Sequence, residues 1–313
     1  MPVIFTETWP EGYTQMYEGY LYNHESFVLL QTSTNISVCS FYAADTQTRC
    51  IVGKSHFFRE HNGNEPVFRS PHKSPFGSFE MDSSLSNVQI YAFVQYVLQQ
   101  LKNNQPATIY VLHHAAIYHP ANTILIKESL LEANFSIKES IPNHHITLDT
   151  HPLSEKMHIM EKRKLVKCQK SGFSFEEEPL SALPDVYDFV LQCREERGWG
   201  LSMTLADLEK AVGTFPENYK LFSVYDGVRR IAATVAIVVN SRILYNFYPA
   251  SLLSYQSYSP TVMLLDGLYQ YCQQKGMKIL DLGTSASDSL QLFKAHMGGE
   301  VSYKYAFIYH SGK

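Results

Sequence analysis

Two rhythms of hydrophobic and polar positions run along this chain, and they recur in the same order in each half. In the first half, residues 86–104 carry Val88, Tyr91, Ala92, Gln95, Leu98 and Leu101 on or near one face at helical spacing, which predicts an amphipathic helix. After Gln105-Pro106, residues 107–113 form an apolar run rich in β-formers and predict a strand. Residues 122–134 predict a short helix stopped by Asn134, and 136–140 and 144–149 predict two strands. In the second half, 261–275 predict a helix with Ser259 as N-cap, Pro260 at its first position and Gly276 at its stop. A strand over 277–283, a short helix over 287–297 ended by Gly298-Gly299, and an alternating strand over 300–310 complete the copy.

The stretches before these repeats also correspond. Residues 36–41 and 49–54 predict strands, and 219–225, 231–239 and 243–248 predict a meander with turns at Asp226-Gly227 and Asn240-Ser241. Between the halves lie three predicted helices. They cover 153–171 with Gly172 just past the end, 183–198, and 204–215 with Thr204 as N-cap. A helix–strand–helix–strand order that occurs twice predicts two copies of one mixed α/β unit. The change of pattern near 149–153 places the domains at 1–150 and 151–313.

Length supports two domains, since 313 residues at roughly 150 per domain give that count. Hydrophobic residues at 45% and charged residues at 18% exclude disorder. No apolar run approaches the ~18 residues of a membrane span, and the N-terminal stretch lacks the basic and apolar regions of a signal peptide. Five scattered cysteines without a CxxC predict reduced thiols, so a cytoplasmic protein is expected. A net charge of −4 weighs against a general nucleic-acid binder. The average hides a split, however, of −5 over 1–150 and +1 over 151–313. Residues 154–170 alone hold six basic and two acidic side chains.

Common catalytic motifs are missing from the sequence: it holds no GxSxG, GxxxxGK[ST], HExxH or GxGxxG. His113-His114 and His144-His145 fall in strand-like segments, where neighbours point to opposite faces, so neither pair is expected to chelate a metal. Residues 256–261 lead into the second-half helix. A helix N-terminus preceded by small polar residues suits a phosphate or carboxylate, and a plain N-cap is the alternative reading. Asp281, Gly283 and Thr284 sit at a predicted strand end, a place often next to a site in α/β sheets. Lys294 on the short helix beside Phe293 reads, taken alone, as a solvated surface residue.

Taken together these residues resemble a family. Leu153-Ser154, Arg163-Lys164, Lys167 and Gly172-Phe173 look like the basic helix and Gly-Phe exit of the Fem-type acyltransferases of the GNAT superfamily, best known as peptidoglycan-bridge aminoacyltransferases. The run from Leu244 to Ser251 is similar to that family's central strand. Ser259-Pro260, Leu264-Leu265, Gly276 and Leu280-Asp281-Leu282-Gly283 look like its helix and following strand. Leu292-Phe293-Lys294 and Met297-Gly298-Gly299 are similar to its Phe-Lys helix and Gly turn. The likeness covers about 151–310 well and the first half in outline, most clearly at 74–78. No heptad insertion is present, so the coiled-coil arm of some members is missing. Where GNAT enzymes carry Gln/Arg-x-x-Gly-x-Gly/Ala, this chain has Gln256-x-x-Ser259-x-Thr261.

The resemblance implies an α/β (mixed α+β) fold of two tandem GNAT-like domains, each a mixed central sheet flanked by helices, with the active site in the second and a first copy that is degenerate. It implies transfer of an acyl or aminoacyl group from an activated donor to an amine, with a cell-envelope precursor as one acceptor class. Lys294 is assigned to transition-state charge and Tyr248 to proton donation or acceptor contact. Gln256, Ser259, Thr261 and Phe293 are assigned to the donor, and Asp281, Gly283 and Thr284 to orienting the pocket. Arg194, Arg197 and Trp199 are assigned to the acceptor. Lys162, Arg163 and Lys167 would contact tRNA if the donor is an aminoacyl-tRNA. No metal and no permanently bound cofactor is implied, with acyl-CoA or aminoacyl-tRNA as co-substrate. Two alternatives stand beside this reading. One is an acetyl-CoA-dependent N-acetyltransferase on a small amine or amino sugar, and the other is a non-catalytic binding module with a degenerate GNAT fold.

Overall fold

The computed structural model describes residues 1–60, 66–102, 107–285 and 287–310. The loop Gln105-Pro106 used above lies outside the described residues. The chain divides into two compact units, Met1–Ile141 with Ser302–Lys313, and Pro142–Val301.

In chain order the first half forms β1 (Val3–Thr6), β2 (Thr14–Gln15), α1 (Glu25–Leu30), β3 (Ile36–Asp45), β4 (Cys50–Glu60), β5 (Val67–Ser70), β6 (Phe79–Met81), α2 (Asn87–Lys102), β7 (Thr108–Leu112), α3 (Pro120–Glu132) and β8 (Ser136–Thr147). The second half forms α4 (Leu153–Lys156), α5 (Ile159–Lys170), β9 (Ser174–Glu178), α6 (Leu183–Glu195), α7 (Leu205–Thr214), β10 (Tyr219–Asp226), β11 (Arg229–Asn240), β12 (Ile243–Asn246), β13 (Ala250–Ser251), α8 (Pro260–Gln274), β14 (Ile279–Thr284), α9 (Asp288–His296) and β15 (Glu300–His310).

Each unit has a mixed sheet of the same plan. In the first, β1, β3, β4 and β5 pair antiparallel, β5 pairs parallel with β7, and residues 306–310 of β15 run antiparallel to β7. In the second, β9, β10, β11 and β12 pair antiparallel, β12 pairs parallel with β14, and residues 143–147 of β8 run antiparallel to β14. Each sheet takes its last strand from the other half of the sequence. The division therefore falls at Ile141/Pro142 rather than near 149–153, and Ser302–His310 belongs with the first unit.

Several local expectations change. Residues 136–147 form one strand, β8, where two were expected over 136–140 and 144–149. The helix expected over 153–171 breaks at Met157-His158, both extended. The break buries Met157 and lets the His158 N–H donate to the His296 carbonyl at 2.8 Å, while the two imidazoles stack at 4.3 Å. On α2 the buried face is Ile90, Phe93, Val94, Val97, Leu98 and Leu101, whereas Val88 and Tyr91 are exposed. Both stripes have helical spacing, and the larger apolar set wins the sheet. Each Leu, Val or Phe buried so contributes about 1.5–3 kcal/mol.

In the second unit, α8 supplies Val262, Leu264, Leu265, Leu268 and Cys272 to a core with Phe222, Ala232, Ala236, Leu244 and Leu280. Gly267 lets this helix lie close on the sheet, since a Cβ there would meet the Phe175 ring. Gly276 and Gly172 have φ of 69° and 76° at their helix ends, as the stop signals predicted. Among the described residues no helix is long and apolar enough to cross a membrane.

Candidate active site

Parallel strands β12 and β14 stay paired through 243–245 and 279–281 and then part. The β12 chain bends because the N–H groups of Phe247 and Tyr248 both donate to the Val235 carbonyl, each at 3.1 Å. It then rejoins β11 as β13. The β14 chain turns through a bulge between Asp281 and Gly283, where Gly283 has a φ of 73°. Bulges next to sites re-aim backbone groups. A cavity of about 460 Å³ opens at this parting, at the C-terminal ends of the two strands. Asn246, Ala250 and Ser251 line one wall, Leu282, Phe293 and Lys294 the other, and Gln256, Ser259, Pro260 and Thr261 the start of α8. Arg194, Arg197 and Trp199 complete it. The size suits a small substrate or the reacting end of a larger one.

Eight of the sequence-assigned residues are thus brought together. Lys294 is buried rather than solvated, and its Nζ donates to the carbonyls of Gly283 at 2.9 Å and Thr284 at 2.8 Å. The Gly turn after α9 helps seat it, with Gly298 at a φ of 85° and the Gly299 N–H donating to the Lys294 carbonyl at 2.9 Å. Gly283 and Thr284 therefore meet Lys294 through their backbone carbonyls. Asp281 is fully buried and does not line the cavity. Its Oδ1 accepts from the Gly283 N–H at 2.7 Å and from Asn143 Nδ2 at 2.8 Å.

Tyr248 also lies outside the cavity wall. Its hydroxyl is 2.5 Å from Ser202 Oγ and accepts from the Met203 N–H at 3.1 Å, so it pins the segment that follows Trp199. Burial raises its pKa. Arg194 lies 5.9 Å from both the Trp199 and Tyr248 rings, and its Nε donates to the Gly200 carbonyl. Arg197 donates to the Cys193 carbonyl at 2.6 Å. Cys193 lines the cavity too, but burial pushes its thiol up to about 11, so it is no thiolate nucleophile at neutral pH.

Ser259 occupies the N-cap position without capping. Its backbone is left-handed, with a φ of 56°, and its Oγ donates to the Gln256 carbonyl at 3.3 Å. Pro260 brings no N–H, and the Val262 N–H is taken by the Ser259 carbonyl at 2.9 Å. The preceding loop spends its own amides as well. Those of Tyr255, Gln256, Tyr258 and Ser259 all donate to backbone carbonyls in the segment. A left-handed non-glycine residue beside a cavity stores strain of about 1–3 kcal/mol, which the rest of the fold must hold.

The basic helix α5 reaches this loop. Lys167 Nζ donates to the Ser257 carbonyl at 2.9 Å and lies 4.2 Å from the Tyr258 ring centre. Arg163 is exposed and Lys162 half-buried on the same helix. Sequence reasoning missed Asn246, whose Oδ1 accepts from Thr234 Oγ1 at 2.7 Å, and Ser251, whose Oγ accepts from Thr261 at 3.2 Å. Neither stands in a spacing pattern that would have singled it out.

The histidine pairs behave differently from each other. His113 and His114 follow the end of β7, and their rings lie 3.9 Å apart rather than on opposite faces. His144 and His145 lie within β8, with His144 Nδ1 3.4 Å from Ser285 Oγ. Among the described residues no cluster of three His, Cys, Asp or Glu is placed to hold a metal. In the first unit, the C-terminal ends of the parallel pair β5 and β7 are packed with protein. Residues 74–78 tuck in there, the Gly77 N–H donates to Leu112, and buried Phe76 packs on Tyr20, Tyr22, His114 and Tyr118.

Comparison with known proteins agrees with this geometry. Residues 160–304 match the family described as the acetyltransferase (GNAT) domain. The solved structure of FemX superposes with a TM-score of 0.70 at 12% identity, covering 94% of this chain and 92% of that one. L-PGS from Bacillus licheniformis gives 0.54 at 13% identity, covering 86% and 83%. A tandem GNAT protein from the clavulanic acid biosynthesis pathway gives 0.51 at 9% identity, covering 90% and 85%. No curated protein sequence matches. The match makes residues 160–304, most of the second unit, a GNAT acetyltransferase domain. The arrangement of two mixed-sheet units in tandem is the fold that this chain shares with FemX and with the tandem GNAT protein.

Proposed function

We propose that the second unit transfers an acyl or aminoacyl group from an activated ester or thioester to an amine, with the reacting carbonyl held beside Lys294. The observation that carries this is the cavity's charge. Arg194, Arg197 and Lys294 line it, and among the described lining residues there is no Asp, Glu or His. Such a wall favours anionic groups and developing negative charge.

The chemistry follows from that wall. A neutral amine attacks the carbonyl carbon, a C–N bond forms, and the carbonyl oxygen becomes an oxyanion. The Lys294 ammonium lies where it stabilises that charge, at no cost in reorganisation because two carbonyls already fix it. The C–S or C–O bond to the donor then breaks, and the proton lost by nitrogen goes to the leaving group or to solvent. Phe293 packs beside the donor, and Arg194, Arg197 and Trp199 recognise the acceptor. Gln256, Ser259 and Thr261 flank the donor arm at the start of α8.

For the donor, an aminoacyl-tRNA is supported by the loop before α8. Its amides at 255, 256, 258 and 259 are spent on backbone carbonyls, which leaves fewer for a pyrophosphate, and Lys167 of the basic helix α5, which also carries Lys162 and Arg163, reaches it. Both the donor and a cell-envelope precursor acceptor would put the reaction in the cytoplasm. An acetyl-CoA donor is the second reading, favoured by the match of residues 160–304 to an acetyltransferase domain.

Thermal shift with acetyl-CoA, against charged tRNA at low and high salt, separates the donors. Ligand stabilisation follows RT ln(1 + [L]/Kd), and a shift with charged tRNA that fades steeply with salt supports the tRNA donor. A shift with acetyl-CoA alone supports the second reading. No shift with either leaves the binding-module reading in possession.

A further inference from the structure

We propose that Asn143 is a positioning residue for Lys294, acting through Asp281 and the Gly283 bulge; the proposal rests on the reading of Lys294 given above. Asn143 lies on residues 143–147 of β8, the strand that borders β14. It is fully buried, and its Nδ2 donates to Asp281 Oδ1 at 2.8 Å. The same Oδ1 accepts the Gly283 N–H at 2.7 Å, two residues along the strand. The Gly283 carbonyl in turn accepts from Lys294 Nζ at 2.9 Å.

Each link has a reason to be there. At the bulge the β8–β14 register shifts between Asp281 and Gly283. A side-chain oxygen replaces the strand partner for the Gly283 amide, so a buried N–H is not left unmade. Gly283 adopts a φ of 73°, and a Cβ there would stand 3.1 Å from the Tyr245 ring. The turn this permits carries the carbonyls of Gly283 and Thr284 to the Lys294 ammonium. Asn143 holds the carboxyl that holds the turn. Asparagine suits the place because its amide NH₂ donates, whereas an aspartate would set two carboxylates face to face.

Asn143 is not among the residues that line the cavity, so its effect must travel through Lys294. Loss of the link lets the bulge relax and the ammonium move away from the reacting carbonyl. A displacement near 1 Å lowers turnover by about a hundredfold at most, with substrate affinity retained.

Two readouts test this in the full chain. The first needs no substrate: Lys294 is labelled with acetic anhydride and compared with exposed Lys275 by peptide mass spectrometry. Asn143→Ala is expected to raise the Lys294 rate several-fold with Lys275 unchanged, and Asn143→Ser, which restores a donor, to raise it less. An unchanged Lys294 rate in a folded Asn143→Ala protein overturns the proposal. The second is a double-mutant cycle on transfer from acetyl-CoA or charged tRNA. Asn143→Ala should lower kcat at constant KM, and should cost nothing further when Lys294→Ala is already present. Additive losses overturn the proposal. If Lys294→Ala alone leaves the rate intact, it is the reading of Lys294 that fails, and the labelling result still judges the link itself. Circular dichroism and the melting temperature establish that each variant is folded. Should Asn143→Ala not fold, Asn143→Ser and Asp281→Asn carry the same comparison.

Discussion

Lys294 Nζ donates to the Gly283 carbonyl at 2.9 Å, across the turn that joins β14 to α9. A second bond, to Thr284 at 2.8 Å, fixes the ammonium in a wall that also holds Arg194 and Arg197. Replacing Lys294 by alanine is therefore expected to lower single-turnover transfer by about two to three orders of magnitude, the usual cost of a lost oxyanion donor. Lys294→Arg should not rescue, since a planar guanidinium cannot keep both carbonyl contacts from the same stem. A normal rate in Lys294→Ala would remove this residue from the chemistry.

Gly283→Ala asks an L side chain to adopt a φ of 73° with a Cβ 3.1 Å from Tyr245. The expected loss is about 1–3 kcal/mol of stability, seen as a lower melting temperature. Activity should fall further than that loss explains, because the carbonyl that holds Lys294 moves too. A variant as stable and as active as the parent would show that the bulge tolerates a side chain.

Arg194 and Arg197 line the cavity and are assigned here to the acceptor. Arg197→Ala should raise KM for an anionic acceptor several-fold, about 1 kcal/mol, with kcat little changed. The salt dependence of kcat/KM should flatten in the same variant, since the half-buried Arg197 guanidinium acts through a field that salt partly screens. An unaltered KM and salt slope would move acceptor recognition elsewhere.

Stability of the first unit should fall in mild acid. Burial, followed by the neighbouring Lys54, holds the His56 pKa down to about 3 from 6.5. Burial holds His114 down to about 4, and His113 is lowered well below 6.5 by burial and by His114. All three are neutral in the folded state. Their contribution is complete above about pH 6.5 and is lost as pH falls from there toward 4, because the unfolded chain binds the protons. Melting curves between pH 8 and 4 should show the decline, and His114→Gln should flatten it. A melting temperature independent of pH in this range would contradict the assignment.

Much of this was legible in the chain. The Pro260 and Gly276 bounds of α8, the Thr204 cap and the turn at Asp226-Gly227 are local, and the structure has them where the pattern placed them. Phe293 and Lys294 stood out through resemblance rather than spacing, and both line the cavity. The repeat was readable because two copies of one order of elements leave two copies of one pattern.

What escaped the pattern depended on distant partners. The choice between two stripes on α2 depends on which face meets the sheet. The break at Met157-His158 depends on the end of α9, and the uncapped Ser259 on the loop that coils before it. Tyr248, assigned to proton donation or acceptor contact, has its hydroxyl bonded to Ser202 and Met203, partners 46 and 45 residues away. Asn143 carried no signal, since its partner Asp281 is 138 residues away. The sequence by itself determined the longer elements and their repeated order, because helix and strand periodicity, caps and turns act over a few residues; the short β1, β2, α1, β5, β6, β9 and β13 did not stand out in it. Only the tertiary structure decided that residues 143–147 and 302–310 complete sheets begun in the other half of the chain, and that Lys294 is buried on two carbonyls. Strand pairing and burial are set by contacts between residues that sequence spacing does not relate.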